Sequence, residues 1–124
     1  MDAAYQIDPD PVRNIVRIRM AGFFTTEDVA KFAGDFRQAI AHFSRRHSTL
    51  VDIRDMKIQS QDAVAAFTSF MAAPDICSAR LAFVCTSTLA RLQAERLTDR
   101  DMVRYFNDEN QAEKWLAGPA HRVV

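Results

Sequence analysis

The sequence predicts an α/β domain: a mostly parallel five-stranded sheet with an antiparallel first strand, in the order ββαβαβαβα. Three observations carry this prediction. Within residues 15–21, Val16 to Met20 alternate apolar and basic side chains with a period of two, the pattern of a strand with one buried face. From Val29 to Phe43 the apolar residues recur at i, i+3, i+4 and i+7, the spacing of an amphipathic helix. Short apolar runs at 50–53 and 81–85 are each followed by a hydroxyl-bearing helix start. Strands that alternate with helices call for parallel pairing through right-handed crossovers.

Residues 4–8 form the first predicted strand, and Asp8-Pro9-Asp10-Pro11 supplies turn chemistry before the second. In that second strand Val16, Ile18 and Met20 share one face, while Arg17 and Arg19 share the other. The short connection makes the pair an antiparallel hairpin. Gly22 ends it, and Thr25-Thr26-Glu27-Asp28 opens the first helix with a hydroxyl cap and carboxylates at its positive end. Its stripe of Val29, Phe32, Ala33, Phe36, Ala39, Ile40 and Phe43 reads as a core face.

Residues 50–53 are the third strand. A helix over 60–73 follows, capped by Ser60, with Val64, Phe67, Phe70 and Met71 inward, and Pro74 stops it. The unbroken run Leu81-Ala82-Phe83-Val84-Cys85 predicts a strand buried on both faces. Thr86-Ser87-Thr88 caps a third helix reaching about Leu97, with a thin face of Leu89, Leu92 and Leu97. Residues 103–106 form the fifth strand. Asn107-Asp108-Glu109 begins a last helix carrying Ala112, Trp115 and Leu116, which Gly118-Pro119 ends. The ordered core is expected over 4–117 of a single domain spanning 1–124, with 118–124 a loose tail.

Composition narrows the function classes. Sixteen basic residues balance sixteen acidic ones, so the basic surface excess that drives nucleic-acid binding is absent. Arg45, Arg46 and His47 read as complements to a helix dipole. No apolar run approaches the ~20 residues of a membrane span, and the first residues lack the layout of a signal peptide, which predicts a cytoplasmic protein. Cys77 and Cys85 match no metal or redox spacing, and Cys85 reads as a small core residue. With histidines only at 42, 47 and 121, no metal site is expected. Glycines at 22, 34 and 118 alone exclude a phosphate-binding loop, and no cofactor is expected. Ser87 lacks the flanking glycines of a nucleophile elbow.

The working surface is placed at the carboxyl end of the third strand, where open α/β sheets carry their sites. Asp52 and Asp55 there suggest an unrecognised enzyme as a third-ranked reading, with Arg54 more simply their ion-pair partner. Met56 to Gln61 forms the loop into the second helix.

Three segments carry a family resemblance. They are Gly22-Phe23-Phe24-Thr25-Thr26-Glu27-Asp28, Leu50-Val51-Asp52-Ile53-Arg54-Asp55, and Val103-Arg104-Tyr105-Phe106-Asn107-Asp108-Glu109 with Ala112 and Trp115-Leu116. With the element order, they make residues 4–117 similar to the STAS domain of sulfate transporters and anti-sigma-factor antagonists. Within that group the chain most resembles the stand-alone bacterial STAS-like proteins. The resemblance implies a non-enzymatic regulatory module that binds a protein partner, with Ser60, Asp55, Gln61 and Ile58 as candidate contacts. In anti-sigma-factor antagonists the corresponding loop carries an Asp-Ser-Ser-Gly-like phosphorylation motif. Here it reads Ile58-Gln59-Ser60-Gln61-Asp62-Ala63, which keeps one serine and lacks the rest. A phosphate on Ser60 would sit on a helix N-terminus, and a plain capping serine explains the same position. The group's likeness to lipid carriers adds an alternative, a small apolar ligand held behind Phe23, Phe24 and Met56. A homodimer is compatible with the chain.

Overall fold

A computed structural model describes residues 2–43 and 46–118. Five strands lie side by side in sequence order: β1 (Ala4–Asp10), β2 (Ile15–Gly22), β3 (Ser48–Met56), β4 (Arg80–Val84) and β5 (Val103–Phe106). The β1–β2 pair is antiparallel and the other three pairs are parallel. The predicted topology therefore holds. Helices α1 (Thr26–Ile40), α2 (Gln61–Met71) and α3 (Thr88–Glu95) join successive parallel strands, and α4 (Glu109–Ala117) follows β5.

A sheet that always advances the same way places its right-handed crossovers on one face. Accordingly α1 to α3 cover Val16, Ile18, Met20, Val51, Ile53, Leu81 and Phe83, the larger core. Helix α4 alone covers the opposite face, packing Ala112 and Leu116 against Ile15, Leu50, Ala82 and Val84. All five residues of β4 are buried, as expected for a strand covered on both sides. Arg17 pins α4 to the sheet through two hydrogen bonds to Glu113 and ties β2 to β1 through one to Asp10. Tyr5 ties β1 to α1 through a hydrogen bond to Asp35.

Four local expectations need correction. The first strand does not end at Asp8. It runs to Asp10 through Pro9, because an edge strand tolerates a missing N–H, and the turn is made by residues 11–14 with Asn14 at φ 58°. The third strand is nine residues long, well beyond 50–53: buried Ser48 and Thr49 extend it at the amino end by pairing with Ile15 and Val16, and Asp55 and Met56 extend it at the other by pairing with Ala21 and Gly22. Of the basic cluster, His47 does not complement the α1 dipole. The helix stops at Ile40, Arg45 is outside the described residues, and His47 is buried against the rings of Phe36 and Phe43.

The fourth correction concerns α3. Its predicted inward leucines Leu89 and Leu92 are 65% and 50% exposed, while Ala90, Gln93, Ala94 and Leu97 face the sheet. That set also has i, i+3, i+4, i+7 spacing, and the hydrogen bonds made by Gln93 fix which stripe turns inward. The predicted tail beyond Gly118 lies outside the described residues. Among the described residues no helix is long and apolar enough to cross a membrane.

Candidate functional site

Three segments meet at the carboxyl end of the parallel strands: the turn after β2, the loop from β3 into α2, and α3. Gly22 takes φ 82°, a conformation that favours glycine, and turns the chain so that Phe23 points out and Phe24 in. Phe24 is 3% exposed and packs on Tyr5 and Phe67.

The residue that joins the three segments is Gln59, itself buried. Its side-chain amide donates to the carbonyls of Gly22 (2.9 Å) and Lys57, and its Oε1 accepts from the Phe24 N–H at 2.7 Å. Its backbone N–H donates to Gln93 Oε1 (2.9 Å), and its carbonyl accepts from Gln93 Nε2 (3.1 Å). Every polar group of Gln59 is thus occupied, which is why a glutamine can be buried there. Sequence reasoning singled out Ser60 and passed over its neighbour. The only available signal was a pair of glutamines, one in a strand-to-helix loop and one mid-helix, and no spacing rule links residues 34 apart.

The candidates named from the sequence fall into three environments. Ser60, Gln61, Asp55 and Ile58 are all exposed around the start of α2. Ser60 caps that helix, its Oγ accepting from the Ala63 N–H at 3.2 Å. Replacing it with alanine is expected to cost about 1 kcal/mol in chemical denaturation, the ordinary value of a serine cap. Phe23 is 51% exposed beside this loop, whereas Phe24 belongs to the aromatic core. Met56 is half-buried and lines an internal cleft, described below.

Asp52 and Asp55 do not converge on one centre. Asp52 is buried on the α4 side, where its carboxylate accepts from Arg54 Nη2 (2.7 Å), Arg54 Nε (3.0 Å) and the Arg54 N–H (3.0 Å), with Arg19 at 3.5 Å. Burial alone would raise its pKa, but the Arg54 hydrogen bonds and the two guanidinium charges outweigh it and hold the carboxyl below its ordinary value. Arg54 also reaches Glu109 on α4 at 3.2 Å. This is a structural ion network in which Arg54 is the ion-pair partner of Asp52, as expected, and of Glu109 in place of Asp55. Cys85 is buried at the end of the core, and burial pushes its thiol pKa up. Among the described residues no three His, Cys, Asp or Glu side chains are grouped to hold a metal ion.

Of the exposed large apolar side chains, Val12 lies in the β1–β2 turn and Met102 before β5, while four others, Phe23, Ile58, Leu89 and Leu92, lie on the segments that Gln59 draws together. Beneath them a cleft of about 90 Å³ separates the sheet from α2 and α3. Ile18, Met20, Val51, Ile53 and Phe83 floor it, with Phe67 and Met71 on one wall and Ala90, Ala94 and Leu97 on the other. The space exists because α3 turns two alanines inward and its larger side chains outward.

The SpoIIAA-like family model matches residues 15–117. Two solved structures share the fold. An uncharacterised protein of Shewanella loihica with a SpoIIAA-like fold superposes with a TM-score of 0.71 at 20% identity, covering 93% of this chain and 94% of that one. The anti-sigma factor antagonist SpoIIAA in its unphosphorylated form superposes with a TM-score of 0.64 at 15% identity, covering 94% of this chain and all of the other. No curated protein matches the chain.

Proposed function

Because this chain belongs to the SpoIIAA-like family, we propose that it is a regulatory module that docks a protein partner through the carboxyl end of its sheet. The observation that carries this reading is the grouping of Phe23, Ile58, Leu89 and Leu92 on three segments knitted together by one buried glutamine. Large apolar side chains gathered at one end of a domain, with polar groups at their margin, are the composition of a protein contact. Ser60, Gln61 and Asp55 supply the polar margin beside Ile58. The solved anti-sigma factor antagonist of the same fold adds weight, since that protein's role is to act on another protein.

A phosphate on exposed Ser60 would occupy the amide end of α2 and place negative charge beside Ile58. That would make the docking face switchable. The test is a pair of substitutions, Ile58→Glu and Leu92→Glu. Both side chains are already exposed, so the fold is expected to keep its stability within about 0.5 kcal/mol. Partner binding is expected to fall at least about tenfold for each. Unchanged binding in both variants would overturn the docking face.

The internal cleft favours a second reading, a small apolar ligand. Three methionines, Met20, Met56 and Met71, line it, and their flexible side chains allow the space to reshape around an occupant. Native mass spectrometry of the purified protein tests this directly, with a retained small molecule as the expected result and a bare chain as the contrary one.

A further inference from the structure

The charges around the cleft are one-sided. Among the described residues that line it, two are cations, Lys57 and Arg100, and none is acidic. They stand at opposite ends: Lys57 follows β3 at the carboxyl end, while Arg100 reaches Ser78 before β4 at the amino end. The Arg100 end is the better equipped. Arg100 is half-buried, and among the described residues no carboxylate lies within ion-pair distance of it. Its Nη2 donates to the Ser78 carbonyl at 2.6 Å, which leaves the rest of the guanidinium fork unused. The Ser78 and Thr49 hydroxyls, 2.6 Å apart and buried, line the same cleft, and the Ser78 hydroxyl also meets His47 Nε2 at 3.4 Å. At the other end, Lys57 is exposed, the Gln59 side chain is taken up by Gly22, Lys57 and Phe24, and Gln93 Nε2 donates to the Gln59 carbonyl.

An apolar cleft with a half-buried guanidinium that no carboxylate among the described residues pairs, and with hydroxyls among its lining, is complementary to an acid with a hydrocarbon body. We propose that the cleft binds a linear monocarboxylate amphiphile, its chain lying between the sheet and α2 and α3 and its carboxylate on Arg100 beside Thr49 and Ser78. This rests on the small-ligand reading above and names the ligand class. The resting volume of about 90 Å³ is smaller than the ~150 Å³ cavity that accepts benzene in an engineered protein. The chain must therefore extend along the seam between α2 and α3, where the alanines of α3 leave room, and the methionines must shift with it.

The experiment is calorimetric titration with octanoate, octanol and octylamine, all below their micellar concentrations. Octanoate is expected to bind with one site per chain, at least about tenfold more tightly than octanol, and octylamine more weakly still. Arg100→Gln should weaken octanoate about tenfold and leave octanol within about twofold. Lys57→Gln should leave both unchanged. Ala94→Leu, which fills the cleft, should remove binding of all three while the protein still melts cooperatively. Equal binding of octanol and octanoate, or loss of octanoate binding in Lys57→Gln and not in Arg100→Gln, would overturn the assignment of the acid head while leaving an apolar site. Absence of binding by all three in the wild-type chain would overturn the cleft reading as well.

Discussion

Gln59→Ala is expected to destabilise the protein by about 3 kcal/mol, read as a lower denaturant midpoint with an unchanged slope. The substitution leaves the Phe24 N–H, held at 2.7 Å by Oε1 in a buried position, without its acceptor. An orphaned buried donor costs on the order of 1–3 kcal/mol, and the vacated amide adds a cavity term. The Gly22 carbonyl is spared, since it still accepts from the Lys57 N–H at 3.1 Å. The hydrogen bonds to Gln93 survive too, because they use the backbone of residue 59. Gln93→Ala should therefore behave differently. It should cost about 1 kcal/mol globally and concentrate its effect as faster amide exchange in α3. Equal and small losses in both variants would show that the glutamine does not organise this end of the domain.

Asp52→Asn is expected to cost about 2 kcal/mol at neutral pH. Removing one charge from a buried ion network leaves its partners poorly compensated, and the figure is discounted because Arg19 and Arg54 reach solvent. The pH dependence follows from the depressed pKa of Asp52 in the folded state. Its contribution is present above the ordinary carboxyl value of 3.8 and is lost as pH falls through the lower folded value. Wild type and Asp52→Asn should thus differ fully at pH 7, and their stability curves should begin to converge only below pH 3.8. Curves that stay parallel into acid would mean that the charge on Asp52 is not what the network uses.

The architecture was legible in the sequence because its signals were local. The alternation of Val16, Ile18 and Met20, the α1 phenylalanine stripe and the apolar run of β4 each state a period or a burial within a few residues. The caps were legible for the same reason: Thr25, Ser60 and Ser87 all accept the hydrogen bonds their side chains are suited to. Less was legible at the site. Periodicity gave α3 two competing stripes, and leucine outweighs alanine on any hydropathy scale. The choice was made by Gln93 bonding to a loop 34 residues away. The same long-range contact hid Gln59, and the burial of Phe24 could not be separated from the exposure of adjacent Phe23 without knowing that Gly22 turns the chain between strand and helix. Asp52 and Asp55, three apart around a strand end, had no need to point together, and β3 sends Asp52 toward α4 and leaves Asp55 in solvent.

The docking face is most directly tested by affinity capture from native lysate, with wild-type protein and the Ile58→Glu/Leu92→Glu double variant run side by side and retained proteins crosslinked before mass spectrometry. A protein held by the wild type, lost by the double variant and crosslinked near Lys57 is the predicted result. A protein held equally by both, crosslinks confined to the α4 side of the sheet, or no protein held by either would contradict the account.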